Sequence, residues 1–328
     1  MSNNITNAIM GLCVADALGV PVEFMQRSKL KADPVIDMRA YGTYHQPAGT
    51  WSDDTSMTLC LLDSLADGLD YDDIMKKFRQ WFDEGAYTPY GETFDVGNAT
   101  RKAINRYSAG TAALECGGKA DGDNGNGSLM RILPILFYLQ SRYGTEINEE
   151  AFEIIHKVSS ITHAHKRSLM ACGIYICIAS EITQGIGLKA AIQTGTQKAM
   201  QYYRNNPEFT HELKHYARLE NKDFEKLPEE QIKSSGYVVD TLEAALWCLL
   251  NTNNYRDCVL KAVNLGEDTD TVAAVAGGLA GLYYKYENIP PQWLAVIAKR
   301  DYIEDLCDKL QTALRELKGP SNENVRDC

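Results

Sequence analysis

The amino-acid sequence predicts a single all-α domain, and three observations support this fold class. Apolar residues recur at spacings of three and four along most of the 328-residue chain, as in Ile5, Ile9 and Leu12. No segment shows the sustained alternation of apolar and polar residues that is typical of a half-buried strand. The composition, with 45% hydrophobic residues, 25 Gly and 10 Pro, is that of a globular protein able to bury a sizeable core. We therefore expect a dozen or more helices around one core.

The helical periodicity places these helices in order along the chain. The predicted segments are 5–18, 57–65, 72–85, 95–109, 128–142, 149–161, 167–184, 188–204, 242–250, 255–264, 271–286, 291–299 and 301–317. Residues 272–284 are apolar on nearly every face and rich in Ala and Gly, so we expect this helix in the middle of the domain with others packed around it.

Two segments depart from the helical pattern. Residues 205–235 are dense in Glu, Lys and His, and periodic helices resume on both sides, which indicates a surface excursion of a domain that spans 1–317. Residues 318–328 contain Gly319, Pro320 and Ser321 and predict a flexible C-terminal tail.

The charge balance disfavours whole classes of partner. With 33 Lys and Arg against 44 Asp and Glu, the net charge is −11, and a field of that sign repels nucleic-acid phosphates and anionic lipids. The first residues lack the basic region of a secretory signal, and no stretch reaches about 18 uncharged apolar residues. We therefore expect no membrane and no nucleic-acid partner.

The cysteines indicate the compartment. The 9 cysteines are odd in number, scattered, and mostly embedded in apolar runs such as Leu59-Cys60-Leu61. This pattern predicts reduced core thiols in a cytoplasmic protein, and the spacing offers no paired CxxC motifs for structural zinc.

Two acidic clusters directly precede strongly apolar helices. They are Ser52-Asp53-Asp54-Thr55 and Glu267-Asp268-Thr269-Asp270-Thr271. Neighbouring residues of a regular helix point about 100° apart, so these carboxylates can converge only from the irregular backbone at a helix N-terminus. Ser, Thr and Asp are also N-cap residues, and simple capping is the alternative for either cluster alone.

Together the two clusters suggest a metal site. Four aspartates with Ser and Thr hydroxyls form an all-oxygen ligand set that suits Mg²⁺, Mn²⁺ or Ca²⁺ better than zinc or copper. If the clusters meet in space, they supply enough carboxylates for two divalent ions about 3.5–4 Å apart.

A glycine-rich segment follows, from Asp121 to Arg131, directly before the apolar run Ile132–Leu136. Backbone N–H groups in such a loop, next to a helix start, bind phosphate or pyrophosphate, although many such loops are only turns. A calcium-binding EF-hand does not fit, because Asn126 stands where that loop needs glycine and Ile132 where it needs the last carboxylate.

Two histidines close the helix after this loop, His163 and His165. Their i, i+2 spacing is a poor helical metal clamp. Both a ligand contact and a purely structural role are open from the residues alone.

Seven motifs in this order resemble the ADP-ribosylglycohydrolase family over nearly the whole chain. They are Gly11–Phe24, Gly49–Met57, Phe94–Asn98, Gly125–Arg131, Thr162–His165, Gly236–Trp247 and Asn264–Thr271. The resemblance implies a single compact orthogonal bundle of helices with two Mg²⁺ or Mn²⁺ ions.

The same resemblance implies roles for individual residues. The implied metal ligands are Ser52, Asp53, Asp54, Asp268, Asp270 and Thr271. The implied loop around the ADP-ribose diphosphate and adjoining ribose is Gly125, Asn126, Gly127 and Ser128, with His163 nearby. Glu23 and Asp95 stand where relatives line the reactive ribose, and together with Asp54 and Asp268 they form the implied catalytic set.

Two positions depart from the family pattern. Ser52 replaces a more usual threonine but keeps the hydroxyl, and Glu267 stands where many members have glycine.

The activity implied by the resemblance is hydrolysis of the glycosidic bond at ribose C1″, which removes ADP-ribose from an ADP-ribosylated protein side chain such as arginine and reverses mono-ADP-ribosylation. Either Glu23 or Asp95 would act as acid or base. The acceptor, the choice between Mg²⁺ and Mn²⁺, and the oligomeric state are open.

Three alternatives stand beside this interpretation. The chain could be an inactive ADP-ribose-binding or structural member of the family, or an immunity protein that counters an ADP-ribosylating toxin. An isoprenoid synthase also uses aspartates to hold Mg²⁺ in an all-α fold, but the third acid of its motif is missing, since Ser56 and Met57 follow Thr55.

Overall fold

The computed structural model describes residues 3–317, and within them the fold is built from helices, as predicted. The 14 α-helices of the described chain are α1 Asn4–Gly19, α2 Arg27–Ala32, α3 Asp53–Ala66, α4 Tyr71–Glu84, α5 Asn98–Ser108, α6 Ile135–Tyr143, α7 Glu149–Ser160, α8 Lys166–Thr183, α9 Leu188–Asn205, α10 Val238–Leu250, α11 Tyr255–Val263, α12 Thr269–Tyr284, α13 Pro291–Val296 and α14 Arg300–Leu317.

Short 3-10 turns connect several of these helices. They are Val20–Val22, Gly42–Tyr44, Ala113–Glu115, Asp121–Asp123, Pro207–Phe209, Leu213–Glu220, Phe224–Lys226, Glu229–Gln231 and Tyr286–Asn288. Four of them lie in the segment 205–235, between α9 and α10. The predicted tail 318–328 lies outside the described residues.

The packing of α1 against α12 forms the centre of the domain. Almost every residue of α12 is buried, as expected for a helix surrounded by others. A Cβ added at Gly11 would lie 2.5 Å from the carbonyl oxygen of Gly277 and 2.7 Å from the Cα of Gly281, so the two backbones are in direct contact. Only glycine permits this approach.

The same contact positions the start of α12. A Cβ at Gly19, the last residue of α1, would lie 2.4 Å from the Cα of Asp270, and the Thr269 hydroxyl donates to the Gly19 carbonyl at 2.8 Å. The N-terminus of α12, with its acidic cluster, is therefore held against the C-terminal end of α1.

Helix α3 is attached to α1 through Asp16. The Asp16 carboxylate accepts hydrogen bonds from the backbone N–H of Ser52 at 3.0 Å and from the hydroxyl and N–H of Thr55 at 2.6 Å and 3.1 Å. Asp16 thus caps the N-terminus of a different helix, where free N–H groups favour a negative charge. As a result, α1 positions both acidic clusters.

Four helix expectations differ from the structure. The predicted helices 95–109 and 291–299 are shorter, at Asn98–Ser108 and Pro291–Val296, because Asp95 and Lys299 have left-handed backbones. The predicted helix 128–142 begins only at Ile135, because the glycine-rich loop continues as turns to Pro134, whose ring has no N–H to donate and suits a helix start. Helix α2 was not predicted, since it has only six residues and buries only Leu30.

One stretch, Asn4–Val22, is long and apolar enough to cross a membrane by length and composition. Nearly all of it is buried inside the domain, so the structure shows it as a core helix. The eight described cysteines are free and buried, which confirms the prediction of core thiols, and Cys328 lies outside the described residues.

The contact between α1 and α12 predicts that Gly11→Ala destabilises the protein. The added methyl group would overlap the backbone of α12, and overpacking of this kind typically costs about 1–3 kcal/mol. Urea unfolding of the two proteins measures the difference. Gly122→Ala is the matched control, because a Cβ there meets nothing within 4 Å. Equal stability of Gly11→Ala and the wild type would contradict the close packing.

Candidate active site

A cavity of about 470 Å³ brings the sequence motifs together. Its walls include Glu23, Asp53, Asp95, Gly125, Asn126, Gly127, His163, Asp268 and Thr271, all of which are predicted site residues. A larger cavity of about 600 Å³ lies between α7, α8 and α9, and none of the predicted residues lines it.

The first acidic cluster forms the start of α3. Ser52 is the N-cap, and its hydroxyl accepts from the N–H of Asp54 at 3.3 Å and donates to the Asp54 carboxylate at 3.0 Å. Asp53 reaches the cavity wall, whereas Ser52 and Asp54 lie fully buried behind it.

The second cluster forms the start of α12 and meets the first. Asp268 is the N-cap of α12 and lines the cavity with Thr271, while Asp270 lies buried behind them. The Thr271 hydroxyl donates to the Asp54 carboxylate at 3.3 Å, across 217 positions of sequence. The two acidic clusters therefore lie together in space, as the metal-site hypothesis requires.

The carboxylates form two groups that fit divalent cations. Asp16, Asp54 and Asp270 bring one oxygen each within 4.8 Å of one another, and so do Glu23, Asp95 and Asp270. One buried oxygen of each of Glu23, Asp54 and Asp270 has no hydrogen-bond partner within the described chain. Unpartnered carboxylate oxygens in a buried site are costly unless a cation pairs with them, so this donor set suits a hard metal ion.

The electrostatics of the protein alone support this interpretation. Burial, and then the neighbouring carboxylates Asp95 and Asp268, raise the pKa of Glu23 to about 9. Burial and mutual repulsion also raise the pKa values of Asp53, Asp54 and Asp270 well above the usual range. A bound cation would reverse this effect, because it favours the ionised form of each carboxylate.

Asp95 lies on the loop before α5, and one of its carboxylate oxygens lies within 4.8 Å of an Asp270 oxygen of the second cluster. Asp95 has a left-handed backbone with φ 54°, and the N-cap of α5 is Gly97, so Asp95 does not serve as a helix cap. The Tyr44 hydroxyl donates to Asp95 Oδ1 at 2.8 Å and fixes the direction of the carboxylate. A left-handed backbone is uncommon for non-glycine residues, and Asp is one of the residue types that adopt it most readily.

The glycine-rich loop forms the other wall. The N–H of Asn126 donates to the Gly236 carbonyl at 3.1 Å, and the N–H of Val238 donates to the Asn124 carbonyl at 3.0 Å, so the loop pairs with the segment before α10. The Asn126 amide donates to Asp268 Oδ2 at 2.8 Å. This bond ties the loop to the second acidic cluster.

Ser128 takes a different place from its neighbours. It is buried beneath the loop, where its hydroxyl accepts from Ser159 at 2.8 Å and lies 3.6 Å from the Cys172 thiol. Its side chain is not on the cavity wall in the described chain. Ser128 therefore braces the loop from behind.

Glu267, a position where the sequence departs from the expected family pattern, has a left-handed backbone. Its φ is 63°, and its backbone pairs with the residues after Glu23: Phe24 N–H donates to the Glu267 carbonyl at 2.7 Å, and Glu267 N–H donates to the Met25 carbonyl at 2.8 Å. Its side chain is exposed. The position demands a left-handed backbone, and the extra charge points to solvent rather than into the site.

Sequence reasoning missed two residues of the site, Asp16 and Tyr44. Asp16 is the only charged residue of helix α1, and an isolated acid within a buried, largely apolar helix was the signal that could have found it. Tyr44 lies in a short 3-10 turn, and no local pattern distinguishes it from other surface tyrosines.

Comparison with known proteins places the chain in a family. The ADP-ribosylglycohydrolase family model matches residues 1–320. The chain is 33% identical over 306 residues to the ADP-ribosylarginine hydrolase Tri1 of Pseudomonas putida (strain GB-1). The aligned region covers 92% of this chain and 76% of that protein. It is 32% identical over 293 residues to the ADP-ribosyl-[dinitrogen reductase] glycohydrolase of Rhodospirillum rubrum, with 88% of each chain covered.

A solved structure shows the same fold. It is described as an ADP-ribosylglycohydrolase-related protein complex, and it matches with a TM-score of 0.76 and 30% identity over 96% of this chain and 98% of the other. The chain belongs to the ADP-ribosylglycohydrolase family. The resemblance inferred from the seven motifs is confirmed, and both named relatives are hydrolases of ADP-ribosyl linkages.

The raised pKa of Glu23 predicts that the metal-free protein loses stability as the pH rises from about 6.5 to about 8. An unfolded glutamate has a pKa of about 4.3 and has released its proton in this range, whereas folded Glu23, with a pKa of about 9, retains it. The free energy of unfolding then falls by up to about 1.4 kcal/mol per pH unit for each such proton. Urea unfolding in EDTA measures the slope.

Glu23→Gln should reduce this slope, because the amide carries no titratable proton. Glu84→Gln, at an exposed position of α4, is the control and should keep the wild-type slope. The range begins at about pH 6.5 because the buried His163, with a pKa lowered to about 3, acts in the opposite sense at lower pH. A flat profile for the wild type would show that Glu23 is ionised in the folded protein.

Proposed function

We propose that this protein is a divalent-cation-dependent ADP-ribosylarginine hydrolase. One observation carries the proposal: the two acidic clusters converge, with unpartnered buried oxygens, on the same cavity as the glycine-rich loop. The acidic clusters would bind metal ions, and the glycine-rich loop beside them would bind an anion. This combination suits a substrate that carries both ribose hydroxyls and a diphosphate.

Six residues of the two clusters would hold two Mg²⁺ or Mn²⁺ ions. They are Ser52, Asp53, Asp54, Asp268, Asp270 and Thr271. When bound, such ions supply Lewis-acid polarisation of ribose hydroxyls and of water. Asp16 would support them from behind, since its oxygens already accept hydrogen bonds from Ser52 and Thr55.

The glycine-rich loop and His163 would bind the diphosphate and adjoining ribose. The backbone of Gly125, Asn126 and Gly127 lines the cavity together with the His163 ring. Because Asn126 is hydrogen-bonded to Asp268, the loop is held next to the second acidic cluster. This rigidity would orient the reactive ribose over the carboxylates.

Glu23 and Asp95 would act at C1″. Hydrolysis breaks the bond between C1″ and the arginine nitrogen, water supplies the new hydroxyl on C1″, and its proton passes to the leaving nitrogen. Positive charge on the ribose in the transition state would be stabilised by the buried Glu23. Asp95, partly exposed and oriented by Tyr44, would position the water, accept its proton and pass it on to the leaving nitrogen.

Arginine is the acceptor that the comparisons favour. The Pseudomonas putida relative is named for ADP-ribosylarginine, and a second relative with that name, from Serratia proteamaculans (strain 568), is 32% identical over 305 residues. Phe24 lies at the mouth of the cavity with 67% of its surface exposed, and an aromatic face is a suitable platform for a guanidinium group. The buried free thiols suit a cytoplasmic setting.

The proposed function predicts metal-dependent release of ADP-ribose from an arginine-linked substrate. Arginine-, serine- and base-linked ADP-ribosyl substrates, tested with and without Mg²⁺ or Mn²⁺, identify the acceptor. EDTA should abolish release, and either ion should restore it. Release from none of the substrates, with ADP-ribose still binding by calorimetry, would favour an inactive binding protein. Rescue by Zn²⁺ alone would contradict the hard-ligand assignment.

Asp53→Asn and Asp268→Asn should each lower turnover by about 100-fold or more, while circular dichroism shows the helical content unchanged. Asp67→Asn is the matched control, because Asp67 follows the same helix α3 but is exposed at its C-terminal end. Near-wild-type turnover in both cluster variants would rule out the metal assignment.

A further inference from the structure

His163 lies on the cavity wall with its Nε2 edge turned to the glycine-rich loop. The ring is 2% exposed, and Cβ atoms added at Gly125 and Gly127 would lie 3.5 Å and 3.3 Å from Nε2. The other ring nitrogen, Nδ1, faces away from the loop and lies 2.9 Å from the Thr162 hydroxyl oxygen. Which nitrogen carries the proton therefore decides whether the ring donates or accepts toward the cavity.

Thr162 is in turn held by a fully buried arginine. Arg131 Nη2 donates to the Thr162 hydroxyl at 2.7 Å and to the Val158 carbonyl at 3.2 Å, and the guanidinium stacks 4.7 Å from the centre of the Phe78 ring. A guanidinium can only donate hydrogen bonds. The Thr162 oxygen is thus the acceptor in its contact with Arg131.

This arrangement directs the single hydroxyl proton of Thr162. With Arg131 donating to the oxygen, the hydroxyl is free to donate to His163 Nδ1, and this is the other polar contact that the structure gives for Thr162 Oγ1. An Nδ1–H ring would instead place a second proton donor, beside Arg131, against the Thr162 oxygen and leave the hydroxyl proton of Thr162 without an acceptor, which is costly in a buried site.

We propose that Arg131, acting through Thr162, fixes His163 as the Nε2–H tautomer, so that a neutral imidazole donates a hydrogen bond to an anionic phosphate oxygen in the cavity. Arg131 is a positioning residue, since it reaches the cavity only through the other two. The identity of the ligand, the diphosphate of ADP-ribose, rests on the proposed function.

The tautomer matters because the His163 ring is neutral and can therefore donate a hydrogen bond from only one nitrogen. Burial, and then the positive charge of Arg131, lower the pKa of His163 to about 3, so the ring is neutral at physiological pH. A protonated ring would donate from both nitrogens, whereas a neutral ring donates from only one. The wrong tautomer would present a lone pair to a phosphate oxygen, and the contact would be repulsive.

Long-range ¹H–¹⁵N correlation spectra of the full-length protein, recorded without ligand, report the tautomer directly. The chain has 6 histidines, and His163→Gln assigns the signals of His163 by their disappearance. The expected spectrum shows a protonated Nε2 and an unprotonated Nδ1. A protonated Nδ1 in the wild type would overturn the proposal without any variant.

Thr162→Val removes the hydroxyl and keeps the shape of the side chain, and Thr162→Ser restores the hydroxyl. The valine variant should show a mixture of tautomers and bind ADP-ribose about 10-fold more weakly by calorimetry, whereas the serine variant should match the wild type in both. Ser159→Ala is the control for lost packing in the tautomer measurement only, because the Ser159 hydroxyl contacts the Ser128 hydroxyl and the His163 backbone carbonyl and not the ring. It should keep the Nε2–H tautomer.

Retention of both the tautomer and the affinity in a folded Thr162→Val variant would overturn the proposal. Should that variant not fold, the wild-type spectrum decides. Failure of hydrolysis with ADP-ribose binding intact would reject the proposed activity and leave this inference standing. Absence of ADP-ribose binding to the wild type would reject its ligand.

Discussion

The backbone contact between α1 and α12 is the constraint on which the site depends. Gly11 lets the two helices touch, and Gly19 at the end of α1 lies directly against the first turn of α12. Asp16, three residues before Gly19, holds the start of α3 through its hydrogen bonds to Ser52 and Thr55. One apolar helix therefore sets the separation of two acidic helix starts that are more than 200 residues apart in the chain.

At that separation, buried carboxylates of the two clusters repel one another, and the protein offsets this repulsion only in part. Asp54 and Asp270 are buried, lie near further carboxylates, and each leaves one oxygen without a partner. Helix N-termini offset part of this repulsion, because their N–H groups and dipoles favour negative charge. The repulsion that is left distinguishes the site from a pair of ordinary helix caps. A divalent cation would relieve this repulsion.

The glycine-rich loop forms another wall of the cavity, and hydrogen bonds to neighbouring side chains hold its shape. The glycine-rich loop carries almost no charge toward the cavity, and its shape is maintained from outside: Asn126 is tied to Asp268, and Ser128 is braced by Ser159. Arg131, at the end of the same motif, turns inward and reaches His163 through Thr162. Residues that touch the cavity are thus oriented by buried neighbours that do not.

The sequence by itself determined the fold class, most helix positions, the two acidic clusters and the loop, because helical periodicity and capping are local in the chain. It failed locally at 128–134, where an apolar run resembles a helix until Pro134 is considered. Only the tertiary structure decided that Thr271 meets Asp54, that Asp16 and Tyr44 belong to the site, and that Glu267 occupies a left-handed turn. Those contacts depend on how helices distant in sequence pack, and no local pattern encodes that geometry.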